Sequence, residues 1–322
     1  MATAAQAQTH YFVDDRGHCD GRTPCFDTVA QGIDAAGDGD TVAIFPGVYA
    51  GDLTLDGEAG VTLRSHVEPH TELTCHAQPR PQRATLTGGL VLADGNAGIS
   101  IENLIVGGSI QVFGDARGAL VSGNRVQGMY LAVCNLDVVH NVFTEDLIIL
   151  GADEACVLSD NSFDGANLAL EPPGSIFALT VRDNYFDGGS MSLRTDIMRD
   201  SVFSQNRMDG GSIVIEGRIV RDNVFEGNGI SGGGNLVLHG RASGTDGNRL
   251  LGNDVRGSVE TGILVAIASE ILPEISASGA NEITGNTALD NAGCDIEDIS
   301  HPDIDNTWSG NIFETACGTA DG

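Results

Sequence analysis

The chain contains no lysine, so its positive charge comes from 16 basic residues that are all arginine. Against them stand 45 acidic residues, which leaves a formal net charge of -29 at pH 7. A surface of this sign repels phosphate backbones and excludes DNA or RNA binding through a basic face. It also hinders the capture of polyanions unless metal cations bridge the two. Because the acidic residues are spread along the whole chain, we favour a halophilic surface over a specific cation-collecting role.

Aromatic residues are also scarce, at 5% of the chain. No apolar run approaches the roughly 18 residues needed to cross a bilayer, so the sequence predicts no transmembrane segment. Hydrophobic residues nevertheless make up 41% of the chain, which is enough for a core and argues against disorder. Residues 1–10 are interpreted as a signal-peptide remnant or a disordered start, before a single exported domain over 11–322.

The seven cysteines contain no Cys-x-x-Cys pair and therefore do not indicate a zinc site. Their positions bracket a short early loop, the last part of the chain and one intermediate stretch. This pattern favours disulfides and an oxidising compartment, although six cysteines allow 15 connectivities. The favoured pairs are Cys19–Cys25, Cys134–Cys156 and Cys294–Cys317, with Cys75 left over.

An internal repeat is the strongest signal. A unit of Asn, an apolar residue, an acidic residue and glycine, followed by an alternating strand, recurs 17 to 23 residues apart. A period near 20 with short β-rich runs predicts one turn of a β-solenoid, in which stacked turns share a core. Inward asparagines at a fixed corner would bond to the backbone and to each other, so we predict one column and discount glycosylation at Asn161. Its predicted members are Asn124, Asn141, Asn161, Asn184, Asn206 and Asn223.

A solenoid needs its ends covered, and the N-terminal stretch suggests how. Thr23 and Pro24 suit a helix start, an apolar stripe follows from Phe26 to Ile33, and Gly37 suits the helix end. We therefore predict a capping helix over about 24–36 that lies on the first turn.

The stretch GDTVAIFPGVY, residues 39–49, follows this helix, and NTWSGNIF, residues 306–313, stands near the end. Together they resemble the right-handed parallel β-helix, or pectate-lyase-like, superfamily of secreted proteins. The resemblance implies an all-β, single-stranded right-handed parallel β-helix of about ten turns, with an N-terminal capping helix and a closing segment over about 286–322. It does not specify function, because this fold carries lyases, hydrolases, epimerases, adhesins and passive fibres. The catalytic patterns of its lyase and glycosidase branches are mostly missing here.

The first candidate site is a column of outward residues that end the main strand of each repeat. Carboxylates, an arginine and a histidine one turn apart are what acid–base or lyase chemistry on a sugar acid requires. The alternative is a ladder of charges on a solvated sheet. The candidate catalytic residues are Glu171, Arg194, Glu216 and His239, spaced 22 or 23 residues apart.

Two further candidates concern metals. An acidic column three residues after the asparagines could hold Ca²⁺ between turns, although halophilic acidity explains it equally well. A segment over 65–83 breaks the repeat and carries histidines beside Cys75, so it could bind zinc or copper, while a plain surface loop is the favoured interpretation. The candidate metal ligands are Asp164, Asp187, Asp209 and Glu226 in the column, and His66, His70 and His76 in the segment.

Three functional hypotheses follow. The favoured one is a secreted or cell-surface element, structural or adhesive, that binds polysaccharide or self-associates. The alternative is a polysaccharide lyase, epimerase or glycoside hydrolase that uses the Glu171, Arg194, Glu216 and His239 face. The third is a metal-binding exported protein.

Overall fold

The computed structural model describes residues 8–66, 83–152, 156–170, 174–240, 246–267, 281–300 and 306–318. Parallel β-strands dominate these residues, with one short α-helix. None of their helices is long and apolar enough to span a membrane. The chain forms an all-β parallel solenoid of about 11 turns, which confirms the predicted fold class.

The elements of the N-terminal part include the helix and the strands up to residue 149. One 3₁₀ turn, Cys19–Gly21, precedes the helix α1, Val29–Ala35. The strands are β1 His10–Val13, β2 Cys25–Phe26, β3 Thr41–Ile44, β4 Val48–Tyr49, β5 Leu53–Leu55, β6 Thr62–Ser65, β7 Thr85–Leu86, β8 Leu90–Leu92, β9 Ser100–Glu102, β10 Ile105–Val106, β11 Ile110–Val112, β12 Leu120–Ser122, β13 Arg125–Val126, β14 Met129–Leu131, β15 Asp137–Val139, β16 Val142–Phe143 and β17 Leu147–Ile149.

The remaining elements are all strands. They are β18 Cys156–Ser159, β19 Ser162–Asp164, β20 Leu168–Leu170, β21 Ser175–Phe177, β22 Leu179–Arg182, β23 Tyr185–Asp187, β24 Met191–Arg199, β25 Val202–Ser204, β26 Arg207–Asp209, β27 Ile213–Arg221, β28 Val224–Glu226, β29 Gly229–Ser231, β30 Leu236–Gly240, β31 Arg249–Leu251, β32 Asp254–Arg256, β33 Ile263–Ile267, β34 Glu282–Thr284, β35 Thr287–Leu289, β36 Ile296–Asp298, β37 Thr307–Ser309 and β38 Ala316–Gly318.

The chain divides into two compact units, residues 1–129 with 135–142, and residues 130–134 with 143–322. In the first unit three parallel sheets run β2-β1-β3-β6-β9-β12-β15, β4-β7-β10-β13 and β5-β8-β11. In the second unit the first sheet runs β18-β22-β25-β28-β31-β34-β37 and the second runs β19-β23-β26-β29-β32-β35. Its third sheet runs β17-β20-β24-β27-β30-β33-β36-β38, with β21 beside β24. The single-domain organisation over 11–322 stays a prediction.

The core consists of inward side chains that repeat from turn to turn. Successive strand residues alternate between the interior and the outer face, so each turn buries the same few positions. In the second unit Phe163 stacks on Phe143 and on Phe186, with ring centroids 5.1 and 4.3 Å apart. Phe203 and Phe225 stack in the same way at 4.9 Å in the first sheet. Such ladders follow from in-register stacking, because identical side chains meet one strand apart.

The helix exists, but its predicted start was wrong. Cys25 and Phe26 pair with β1 as a short strand, so the chain cannot be helical there. The helix begins at Val29, where the hydroxyl of the N-cap Thr28 accepts the N–H of Gln31. Val29 and Ile33 are buried, and a Cβ at Gly32 would lie 2.7 Å from Val13. The helix therefore packs closely on the first strands.

Buried asparagines hold neighbouring turns in register. Asn184 donates its side-chain N–H to the Oδ1 of Asn206, and its backbone N–H to the same oxygen, at 3.0 and 3.1 Å. It also donates to the carbonyl of Leu158 at 2.9 Å. The same pattern links Asn124 to Asn141 in the first unit. In the second unit it runs through Asn161, Asn184, Asn206, Asn228, Asn253, Asn286 and Asn311.

Asn223 is not in this ladder, so the prediction of one column was wrong in this member. It belongs to a second ladder, which lies where the first-sheet strands begin, whereas the first ladder lies where they end. From Asn223 onward each turn carries two asparagines five residues apart. A repeat period of only about 20 residues does not show which of the two continues the first ladder. The second ladder consists of Asn223, Asn248, Asn281 and Asn306. Asn161 is only 1% exposed, so glycosylation at this position is sterically blocked.

All three predicted disulfides are confirmed. Cys19 bonds to Cys25 at the N-terminal end. Cys134 bonds to Cys156, and Cys294 to Cys317, within the second unit. Cys75 lies outside the described residues. Each bridge joins adjacent turns or closes a short loop, which limits fraying of the stack.

A buried carboxylate anchors the closing turns. Asp298 is 2% exposed and accepts hydrogen bonds from the Ser300 N–H, the Asn306 amide and the Trp308 indole, at 2.9 to 3.0 Å. Burial alone raises the pKa of the Asp298 carboxyl, but these hydrogen bonds outweigh it and hold the pKa below the ordinary value of 3.8. Trp308 is the only tryptophan in the chain, so its fluorescence reports on this turn.

Replacing Asn206 by leucine should destabilise the protein. The change leaves the backbone N–H of Asn184 buried without its acceptor, at about 1–3 kcal/mol, and removes a second donor from the carbonyl of Val181. Denaturant unfolding followed by circular dichroism measures this loss. Ser204→Ala, on the outer side of the adjacent strand, should leave the midpoint unchanged. Equal midpoints for parent and Asn206→Leu would contradict a structural role for the ladder.

Acidification should weaken the closing turns. A carboxylate whose pKa is lowered by folding stabilises the fold above its unfolded-state pKa, and this stabilisation is lost as the pH falls through the folded value. Trp308 fluorescence should therefore report a lower denaturant midpoint at about pH 3 than at about pH 7. Asp298→Asn should shrink this difference, whereas Asp254→Asn, on the surface, should preserve it. An unchanged difference in Asp298→Asn would refute the assignment.

Candidate functional site

The structure brings three of the four predicted catalytic residues into one row. Arg194 on β24 is the register partner of Glu216 on β27, which is the partner of His239 on β30. Their inward neighbours Leu193, Ile215 and Leu238 are buried in the core, so strand alternation turns the row outward. Glu171 lies outside the described residues.

Glu216 is the centre of the row. One carboxylate oxygen lies 3.1 Å from Nε of Arg194, and the other lies 3.6 Å from Nδ1 of His239. The Glu216 side chain is 16% exposed, against 66% for Arg194 and 36% for His239. A half-buried carboxylate thus pairs with the guanidinium of Arg194 and lies near the more exposed imidazole of His239. On β33 the register partner of His239 is Ala266, so the charged row ends there.

An apolar row runs alongside. Val214, Val237 and Leu264 are register partners on β27, β30 and β33, and all three are half-buried on the outer face. Ser192 holds the same position on β24. The face therefore offers hydrogen-bonding groups beside aliphatic groups, with one position of each kind on each of two adjacent strands, β27 and β30.

A further ion pair, missed by the sequence reasoning, extends the face. Arg218 donates to both carboxylate oxygens of Asp196, at 2.7 and 3.3 Å. The hydrogen bond from Arg218 holds the pKa of the Asp196 carboxyl below its usual range. These residues are 22 apart, like Arg194 and Glu216, so the spacing was the available signal. They became neighbours because β24 and β27 are nine residues long, where most strands have two to four.

The predicted acidic column is correct for three of its four members. Asp164, Asp187 and Asp209 are register partners on β19, β23 and β26. Glu226 is not a member, because β28 belongs to the first sheet and pairs it with Ser204. Ser231 follows Asp209 instead. The error has the same cause as that for Asn223, since Glu226 was aligned on the wrong asparagine.

Of the predicted histidine group, only His66 lies within the described residues, while His70 and His76 lie outside them. The imidazole of His66 lies against Phe45, with ring centroids 4.5 Å apart. Burial, together with Arg22 and Arg64, lowers the pKa of His66. Its Nε2 is buried and has no hydrogen-bond partner among the described residues.

Two cavities lie at the N-terminal end rather than over the row of Arg194, Glu216 and His239. One, of about 240 Å³, lies between the start of α1 and the strands β4 and β5. The other is a shallow depression, open to solvent, beside Cys25 and the outer side of α1.

A protein-family model described as "Periplasmic copper-binding protein (NosD)" matches residues 85–316, which is well over half of the chain. The chain belongs to the NosD family. The match begins at β7 and ends in β38, so α1 and the 65–83 histidine segment precede it. No curated protein sequence gives a significant match to this NosD-family chain.

Solved structures give a likeness of fold. A PL6 alginate lyase in complex with a trisaccharide shares 13% identity at a TM-score of 0.52, with 98% of this chain and 85% of that chain covered. The catalytic unit of a thermostable GH87 α-1,3-glucanase from Streptomyces thermodiastaticus strain HF3-3 shares 16% identity at a TM-score of 0.43, with 92% and 68% covered. At 13% identity the likeness to the alginate lyase shows the fold alone.

The described residues of this NosD-family chain do not fit a copper site. Copper prefers imidazole and sulfur ligands. In the described part of the chain, no group of three His, Cys, Asp or Glu residues could hold a metal ion. The six described cysteines form disulfides, and the described methionines are core residues.

Proposed function

We propose that this NosD-family protein is an exported structural or adhesive element that binds polysaccharide on the outer face of its third sheet. The family description is periplasmic, and three disulfides suit an oxidising compartment outside the cytoplasm. We extend this to an extracellular or cell-surface location.

The observation that carries the proposal is the pairing of two rows on one face. The charged row of Arg194, Glu216 and His239 offers donors and acceptors for hydroxyl groups. The apolar row of Val214, Val237 and Leu264 suits the C–H faces of sugar rings. Both rows repeat at the strand spacing of about 4.8 Å, so the face suits an extended, repeating ligand.

The ion pairs on this face favour binding over catalysis. Arg194 compensates the charge of Glu216, and Arg218 compensates that of Asp196, before any ligand arrives. A general base needs a carboxylate that takes up a proton readily, and a neighbouring guanidinium favours the ionised form instead. The alternative is that the protein is a polysaccharide lyase, epimerase or hydrolase. Turnover assays test this hypothesis.

Replacing Arg194 and His239 together by alanine should weaken polysaccharide binding by about tenfold or more, because hydrogen bonds to charged groups contribute about 1.5–3 kcal/mol each. Affinity electrophoresis against neutral polysaccharides and polyuronates, at high salt and with or without Ca²⁺, measures the change.

Arg249→Ala is the matched control, because it breaks a comparable ion pair with Glu282 on another sheet. Equal retardation of the Arg194/His239 variant and the parent would contradict this binding face. Turnover of a polyuronate by the parent, lost in the same variant, would favour the enzyme alternative.

A second candidate is metal binding, and the copper-binding description of the family favours it. The donors would be His66, His70 and His76 for copper. Of these three, only His66 lies within the described residues, so we derive no mechanism through a metal. We do not propose the row of Asp164, Asp187 and Asp209 as a Ca²⁺ site, because no described group of three such residues could hold a metal ion.

Metal analysis after chelation and reloading with Cu²⁺ tests this candidate. Under the copper hypothesis the protein retains stoichiometric copper, and combined replacement of His66, His70 and His76 by alanine abolishes it. A parent that retains no copper would exclude this candidate.

A further inference from the structure

In the first unit, the sheet β4-β7-β10-β13 has an open edge at its first strand, β4. Among the described residues, β4 is the last strand of that sheet, and the one strand that pairs with it is β7. The N–H groups of Thr85 and Thr87 bond to the carbonyls of Gly47 and Tyr49. In a parallel ladder the residue between these two carbonyls directs its own N–H and C=O away from the partner strand. The backbone of Val48 therefore points to the open side.

This edge borders the cavity of about 240 Å³ at the start of α1. Val48, Tyr49, Ala50 and Leu53 line one side, and Thr28 to Ala30 line the other. Val48 is 59% exposed, and the next residue of the strand, Tyr49, is buried, so Val48 lies on the outer face beside the cavity. Open strand edges are templates for pairing and are normally short, charged or covered. Here α1 lies beside the edge and leaves the cavity between them.

The charge of the cavity selects one kind of occupant. Three carboxylates line it, those of Asp15, Asp27 and Asp52, and its lining contains no basic residue. Asp52 accepts the N–H of Gly89 at 2.7 Å, which fixes its carboxylate at the rim. This arrangement favours a cationic ligand, and the outward N–H and C=O of Val48 match a ligand that has free backbone groups of its own.

We infer that this cavity binds an extended, positively charged peptide segment of another protein, which adds a strand to β4 at Val48. The backbone of Val48 would donate and accept one hydrogen bond each, as in other cases of β-strand addition. The carboxylates of Asp15, Asp27 and Asp52 would pair with arginine or lysine side chains of the segment. This inference concerns a surface far along the sequence from the polysaccharide-binding face and does not depend on it.

A short peptide of alternating arginine and valine is the probe, with two comparison peptides. One comparison peptide carries glutamate in place of arginine, and the other carries N-methyl groups on its valines, which remove backbone donors. We expect only the arginine peptide with free N–H groups to bind, as measured by calorimetry, and its affinity should fall with rising salt. Equal binding of the N-methylated peptide would overturn strand addition, and equal binding of the glutamate peptide would overturn the charge assignment.

Two sets of variants separate the cavity from the general acidity of the protein. Combined replacement of Asp15, Asp27 and Asp52 by asparagine should weaken binding about tenfold or more. The matched control is the asparagine triple variant of Asp164, Asp187 and Asp209, which loses the same charge elsewhere and should bind like the parent. An equal loss of peptide affinity in both triple variants would show that only the net charge of the protein matters. That result would overturn the proposed site.

Val48→Pro tests the edge directly. Proline is tolerated on an edge strand where the N–H faces away from the ladder, so this variant removes a free donor and no ladder bond. Peptide binding should weaken about five- to tenfold. In the parent, peptide addition should slow hydrogen exchange of the Val48 amide, a readout that does not depend on the variant. A Val48 amide that stays unprotected at saturating peptide would overturn the inference. A parent dimer that dissociates in the Val48→Pro variant would also overturn it, because the edge would then serve self-association.

Discussion

The hydrogen bond from one buried asparagine to the next is the constraint on which this structure depends. Each amide in the ladder donates to the amide of the following turn and to a backbone carbonyl of an earlier strand. An amide side chain that is about 99% buried must satisfy its donors and acceptor, and only one register does so. Hydrophobic burial drives the turns together, but an apolar core by itself tolerates slippage. The ladders remove that freedom.

Fixed register is what turns sequence spacing into surface chemistry. Residues 22 or 23 apart become neighbours across adjacent strands, so Arg194, Glu216 and His239 form a row although no local motif joins them. The same rule sets Val214, Val237 and Leu264 side by side, and it aligns Asp164, Asp187 and Asp209. A β-helix thus builds its binding surfaces as rows, and the chemistry of a row depends on which position of the turn it occupies.

The two ends of a solenoid need different treatment from its middle, because they lack a neighbour on one side. At the N-terminal end α1 packs through Gly32, and the Cys19–Cys25 bridge closes the preceding loop. At the other end Asp298 collects three donors around the single tryptophan, and the Cys294–Cys317 bridge joins the last two strands of the third sheet. The open edge at Val48 lies beside the N-terminal helix, where the cavity leaves it accessible.

The sequence by itself determined the repeat, the solenoid and the presence of a capping helix, which depend on local composition and on a period near 20. It favoured the three disulfides among the 15 possible connectivities, and the structure decided between them. It also determined most of each row, since an approximate period is enough to place Arg194, Glu216 and His239 together.

Tertiary structure decided what the period leaves ambiguous. Asn223 and Asn228 are five residues apart, and only strand pairing shows that Asn228 continues the ladder from Asn206. Strand pairing also shows that Glu226 lies in the first sheet. The start of α1 depended on β2 pairing with β1, and the Asp196–Arg218 pair on two strands of unusual length. Pairing between distant segments is absent from local sequence, so these features required the folded chain.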